Sequence, residues 1–225
     1  DIKADSIANQ GAVTIEFLKN ANFSEESLQR ATVYVANTTE LLKQIAAKSD
    51  VVKNLLDDVI SYEHGVATCT LAGLVIKHIG GQNPAVYDAI GMTCFLHDIA
   101  LAGKNPALIS EIEQEMTEEQ KAQFYAHADE GAQIVKKIKS IPPMVAKGVA
   151  SHHLRRGKKG FPKERLLDEV NSISELVGLC DEFLKLMIQQ KSNSSIDPVK
   201  IISERAPKEF SPSISSAFIR ALTEK

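Results

Sequence analysis

Residues 117–137, TEEQKAQFYAHADEGAQIVKK, open with a helix-start signal. Thr117 is followed three places later by Gln120, a pairing in which each side chain can satisfy the other residue's backbone N–H. The segment then runs to about Lys137 as a helix with His127 near its middle. The same punctuation recurs along the chain. Asn83-Pro84, Asn105-Pro106, Asp197-Pro198 and Ser211-Pro212 each set an N-cap residue before a proline suited to the first helical position. Between such points apolar residues return at helical spacing, as Leu28, Val33, Val35, Leu41, Leu42 and Ile45 do. No alternating run bounded by turn residues suggests a strand, so the expected fold class is all-α.

The organisation follows from the same reading. Residues 1–55 are expected to form a helical lead-in with polar breaks at Asn20 to Ser27 and Lys48 to Asp50. Residues 56–190 carry every histidine, and residues 191–225 hold a polar linker, Lys191 to Ile196, and two short closing helices. A length of 225 residues, 44% of them hydrophobic and 24% charged, is ordinary for a globular chain with a sizeable core. The net charge of −3 excludes a globally basic nucleic-acid binder, so DNA is not an expected partner. No apolar run approaches the roughly 20 residues that span a bilayer, and the N-terminus lacks a signal-peptide pattern. Cys69, Cys94 and Cys180 form no CxxC pair, which points to a reduced, cytoplasmic compartment and to cysteines that serve as small packing residues. The N-terminal amphipathic helices are suited to pairing between chains or with a regulatory protein.

The chemistry lies in the histidines. There are six, His64, His78, His97, His127, His152 and His153, and five fall singly or as a pair at separations suited to successive antiparallel helices. With Asp98 and Asp181 they make five imidazoles and two carboxylates, a mixture that suits iron, manganese or zinc better than calcium or magnesium. Adjacent helical residues point about 100° apart, so His97 and Asp98 can share an ion only at a frayed helix end, or else address two neighbouring ions. A carboxylate has two oxygens and can bridge, which makes Asp98 the natural bridge. The same logic applies to His152 and His153, before Gly157, where the helix is expected to end. His78 lies 14 residues after His64 on one continuous helix, roughly 21 Å along its axis, and belongs to no common site.

The pieces YEHGVAT around His64, CFLHDIA, YAHADEGAQIV around His127, SHHLRRGKKGFP and LVGLCDEFLKLM around Asp181 together resemble the HD superfamily of metal-dependent phosphohydrolases. Their order and spacing from about residue 56 to 190 are similar to its HD-GYP subgroup. The resemblance implies an HD-domain helical bundle and a site for two transition-metal ions, iron first, with manganese or zinc as alternatives. It implies His64, His97, Asp98 and Asp181 around one ion and Asp98, His127, His152 and His153 around the other. Asp98 then bridges the ions and acts as the catalytic ligand where a water is deprotonated to attack phosphorus in line. The implied substrate is cyclic di-GMP. A third ion in some relatives uses a glutamate where this chain has Ile60, so two ions are expected.

Two departures touch substrate binding. The subgroup's HDxGK lysine is Leu101 here, and its DGxGYP stretch reads GKKGFP, with Gly157 for the aspartate and Phe161 for the tyrosine. Phenylalanine can stack on a purine or shape the loop but donates no hydrogen bond. Arg155, aligned with a basic position of the motif, is the first choice for a replacement phosphate contact, followed by Lys158, Lys159 and Lys104, with Arg156 in the same run. Three functions fit: hydrolysis of cyclic di-GMP, a catalytically weak metal-containing receptor or interaction module, and hydrolysis of another phosphoester.

Overall fold

In the computed structural model the described residues are 10–11, 13–14, 16–18, 20–21, 24–44, 64–80, 83–101, 108, 116–157, 159–162 and 170–224. Ile60, Lys104, the Asn105-Pro106 signal and Lys158 lie outside them. The α-helices are α1 (Glu25–Gln44), α2 (His64–Ile79), α3 (Pro84–Leu96), α4 (Glu118–Lys136), α5 (Pro143–Ser151), α6 (Ser172–Ser192), α7 (Pro198–Glu209) and α8 (Pro212–Thr223), with a 3-10 turn at Ile99–Leu101 after α3. No described helix is long and apolar enough to cross a membrane.

The caps behave as their side chains dictate. Asn83 accepts from the Ala85 N–H and Asp197 from the Lys200 N–H. Thr117 and Gln120 close both halves of their capping box. Asn171 and Ser174 form a second one that opens α6. Ser211 caps α8 by backbone position alone.

Helix α2 is buried from Gly65 to Ile76, all round rather than on one stripe, and so runs through the centre of the bundle. It is flanked by α1, α3, α6 and α8. Ala31, Tyr34 and Val35 of α1 join the same apolar cluster as Leu71, Leu74, Leu176, Leu184 and Phe218. Close approach is built in with glycine: a Cβ on Gly65 would lie 2.9 Å from the Phe95 carbonyl oxygen, so α2 and α3 meet backbone to backbone. A smaller apolar cluster of Leu101, Leu108, Met116 and Phe124, with Phe161 against it, lies beside the main one.

Among the described residues, the structure departs from an all-helical reading at one place. Helix α5 ends at Ser151, not at Gly157. His152 and His153 lie in the turn that follows, and Leu154–Arg155 then pairs antiparallel with Lys159–Gly160 as a two-stranded ribbon. Gly157, at φ 76°, lies in the turn of that ribbon. Strands of two residues are too short to leave an alternating pattern, which is why the sequence shows none.

Candidate metal centre

Each adjacent pair of candidate ligands sits where a helix lets go. His97 is the C-cap of α3, and Asp98 follows in the turn before the 3-10 segment. His152 is the C-cap of α5, and His153 follows in its turn. Both members of each pair reach the site, His97 with Asp98 in one ligand group and His152 with His153 in the other. His64 starts the described part of α2, His127 projects from the middle of α4, and Asp181 from the middle of α6.

Seven side chains meet in two groups that share Asp98. His64, His97, Asp98 and Asp181 form one, and Asp98, His127, His152 and His153 the other, with the ligand atoms of each within 4.8 Å of one another. Oδ2 of Asp98 lies 3.3 Å from His97 Nε2 and 4.0 Å from His64 Nε2. Its Oδ1 lies 3.2 Å from His127 Nε2 and 3.6 Å from His152 Nε2. Oδ1 of Asp181 faces His64 Nε2 at 2.7 Å and His97 Nε2 at 3.6 Å. The carboxylate therefore presents one oxygen to each group.

Local backbone sets the imidazole tautomers. Nδ1–H of His97 donates to the Cys94 carbonyl at 2.7 Å and that of His152 to the Val149 carbonyl at 2.7 Å, and His127 donates in the same way to Phe124. In each case the acceptor is three residues back, in the ring's own helical turn. With Nδ1 holding the proton, the neutral ring turns an Nε2 lone pair into the site. His127 Nε2 is then 3.2 Å from His152 Nε2, which likewise carries a lone pair. Lone pairs facing each other at that distance repel unless a cation lies among them. Both Asp98 oxygens and His97 Nε2 are also buried without a hydrogen bond from the protein. Orphaned acceptors of this kind, borderline in softness, fit divalent transition ions.

In the first group a cation has a proton to displace. Burial alone would depress His97, but the carboxylates of Asp98 and Asp181 beside it raise it to about 10, so metal binding at its Nε2 releases that proton. Burial opposes ionisation of Asp98 and Asp181, yet His97 holds Asp98, and Lys185 with His64 holds Asp181, well below the usual carboxylate range. Burial lowers His152 to about 4 and, with the charges of His152 and Lys185, takes His153 well below its ordinary value. His152 and His153 are thus offered as unprotonated imidazoles at neutral pH. All three cysteines are buried and free, and burial pushes the Cys69 thiol up to about 12. As thiols they are poor ligands, and none joins either group.

Beside the centre lies a cavity of about 320 Å³ lined by His153, Asp181, Phe161 and four cations, Arg155, Lys159, Lys185 and Arg205. Arg155 is buried and acts as a strut: it donates to the carbonyls of His152 (2.6 Å), Leu154 (3.0 Å) and Gly178 (3.3 Å), and pairs with Glu182. It borders the cavity, but with its fork anchored in backbone it differs from the free phosphate contact expected of it. Lys159 is exposed and pairs with Glu209 at 3.3 Å. Arg156 is turned to Glu175 at 2.7 Å. Phe161 stacks on the His153 ring, centroids 4.2 Å apart, and so braces a candidate ligand as well as shaping the cavity. His78 is remote, with Nδ1 3.4 Å from Glu224.

Sequence reasoning missed Lys185, Arg205, Glu182 and Glu209. An Asp181/Lys185 pair at i, i+4 was visible but is indistinguishable in sequence from an exposed helical ion pair. Arg205 and Glu209 come from α7 and carry no local signal.

The turn that aims His153 depends on Gly160. At φ 82°, a Cβ there would meet the His153 carbonyl oxygen at 1.8 Å, whereas one on Gly157 meets nothing within 4 Å. Gly157→Ala is therefore expected to cost only left-handed strain, about 1–2 kcal/mol. Gly160→Ala is expected to cost at least about 3 kcal/mol and to disturb His153. Paired thermal melts check this, and equal melting temperatures would contradict it.

Residues 61–185 match the HD domain family. No curated protein matches the chain. Among solved structures it is similar to Bd1817, an HDG"Y"P protein from Bdellovibrio bacteriovorus, with a TM-score of 0.76 and 17% identity over 97% of this chain and 71% of that one. At that identity the likeness is one of fold.

Proposed function

Because this chain belongs to the HD domain family of metal-dependent phosphohydrolases, we propose that it is a two-metal phosphodiesterase of HD-GYP type that hydrolyses cyclic di-GMP. The carrying observation is Asp98, whose two oxygens face two separate ligand groups. His64, His97 and Asp181 would hold one ion and His127, His152 and His153 the other, with Asp98 a ligand common to both groups. Iron is the first choice, with manganese or zinc as alternatives. Two such ions supply an acidified water and a clamp on the phosphate oxygens. The protein's own residues do the rest. Phe161 and Phe124 give the cavity an apolar wall, and Lys159, Lys185 and Arg205 give it positive charge. At about 320 Å³ the cavity is at the small end for a ligand pocket, so it takes in the reacting phosphate with an adjoining nucleoside rather than a whole cyclic dinucleotide.

A second reading draws on Leu101, fully buried in an apolar cluster, and on Phe161, which lacks a hydroxyl. Under it the same centre serves a catalytically weak receptor for cyclic di-GMP, or a phosphohydrolase for another phosphoester. Anaerobically purified, iron- or manganese-loaded protein incubated with cyclic di-GMP is expected to yield linear pGpG or GMP by chromatography, and His153→Ala to yield neither. Tight binding without products would establish the receptor instead. Turnover of other phosphoesters alone would move the substrate.

A further inference from the structure

Charge is distributed unevenly along this chain. Residues 131–163 carry nine cations and no aspartate or glutamate, although acids outnumber bases overall, 29 to 26. Three of those cations, Arg155, Arg156 and Lys159, have carboxylate partners around the cavity. Lys136, Lys137, Lys139 and Lys147 do not. All four are exposed, and among the described residues none of their side chains joins an ion pair or a hydrogen bond. We infer that the corner they occupy, where α4 gives way to α5, docks on an anionic lipid surface.

The corner is a fixed frame. Val135, Ile138, Ile141 and Val145 recur at intervals of three, three and four and are buried in the main apolar cluster. Its backbone is bonded within itself, Ile138 N–H to the Val135 carbonyl, Ile141 to Ile138 and Val145 to Pro142. With those anchors beneath, Lys136, Lys137, Lys139, Pro142, Pro143 and Met144 are left facing solvent. A cation at a helix C-terminus offsets the dipole there, which accounts for Lys136 and Lys137. Lys139 lies outside any helix and Lys147 in the middle of α5, so the dipole explains neither.

Three features favour lipid over other polyanions. Residues 131–151 hold no aromatic side chain on which a nucleobase could stack. All four cations are lysines, flexible point charges that suit a field of head-group phosphates better than one fixed oxyanion. Met144, 41% exposed beside two exposed prolines, gives the corner an apolar tip that the interfacial layer of a bilayer can bury and an acidic peptide cannot. Met144 also lies eight residues before His152, about 12 Å along α5, so docking leaves the candidate metal centre clear.

The test is co-sedimentation of the whole chain with vesicles of phosphatidylcholine containing about 30% phosphatidylserine, and with phosphatidylcholine alone. Binding is expected to the first and not to the second, and to fall steeply as salt is raised to about 0.5 M. Each single lysine-to-glutamine change is expected to weaken it about fivefold, and the four combined to abolish it. Met144→Ser should weaken it about threefold through lost apolar burial. Melting temperature and metal content, measured on the same samples, should not move. Failure of the unaltered protein to bind anionic vesicles would overturn the proposal, as would undiminished binding by the folded fourfold variant. If that variant does not fold, Lys139→Glu decides: a loss of about twenty-fivefold supports the contact, and an unchanged affinity overturns it. Binding to polyglutamate or to a single-stranded oligonucleotide in preference to the vesicles would also overturn it, by assigning the corner to an acidic protein or a nucleic acid.

Discussion

Asp98→Asn is expected to reduce the metal content from about two ions per chain to none, although the side chain barely changes shape. The ions of a two-metal site lie about 3.5–4 Å apart and repel unless an anion lies between them. Asp98 presents Oδ1 to His127 and His152 and Oδ2 to His97 and His64, so one neutralised carboxyl removes the shared charge from both groups. Elemental analysis of the purified protein checks this, and full retention of metal in the variant would refute the bridge. Chelation gives a second readout: a ligand bound at a thousand times its dissociation constant adds about 4 kcal/mol. Removing metal should therefore lower the melting temperature of the unaltered protein and leave the variant's unchanged.

The metal-free proteins should also differ in alkali. The folded-state pKa of His97 is raised from 6.5 to about 10, after burial, by Asp98 and Asp181. A raised pKa contributes stability that is complete below pH 6.5 and is lost as pH rises towards about 10. Neutralising Asp98 removes a large part of that raise, so the alkaline decline in melting temperature should flatten in Asp98→Asn. An unchanged decline would place the proton elsewhere.

Gly178→Ala is expected to be the most damaging single-methyl change in α6. A Cβ at that position would lie 2.0 Å from the His152 carbonyl oxygen and 2.7 Å from Arg155 Nη1. Neither neighbour can give way freely: one is backbone, and the other is held by the carbonyls of His152, Leu154 and Gly178 itself. The helix and the turn must separate, at a cost of about 3 kcal/mol, or roughly 6–12 °C in melting temperature for a chain of this size. Because His152 moves with its carbonyl, the group of His127, His152 and His153 should loosen while that of His64, His97 and Asp181 keeps its shape. A displacement of about 1 Å can cost about a hundredfold in rate, so activity should fall further than stability alone explains. A variant with unaltered melting temperature and unaltered metal content would show that α6 does not brace this turn.

How much of this was legible in the chain depended on how local the cause was. Thr117 with Gln120, Asn83 before Pro84 and Asp197 before Pro198 announce helices because a cap is made within three residues. The seven candidate ligands were legible too, since their spacing survives as order along the chain, and the structure brings all seven together. The ribbon at Leu154–Gly160 was not legible, because strands of two residues carry no alternating pattern even though their pairing, Leu154 with Gly160 and Arg155 with Lys159, is local.

By itself, the sequence determined that the chain is helical, where several helices start, and which side chains are available as ligands, all properties of short-range hydrogen bonding and residue chemistry. Only the tertiary structure decided what charged side chains do. Arg155 and Lys185 are both cations in a polar sequence context, yet one is bolted to three carbonyls and the other stands beside Asp181 at the cavity floor. Asp181 lies on the same helix as Lys185, but the burial of that pair, and the Gly178 carbonyl and Glu182 that hold Arg155, come from segments far apart in the chain.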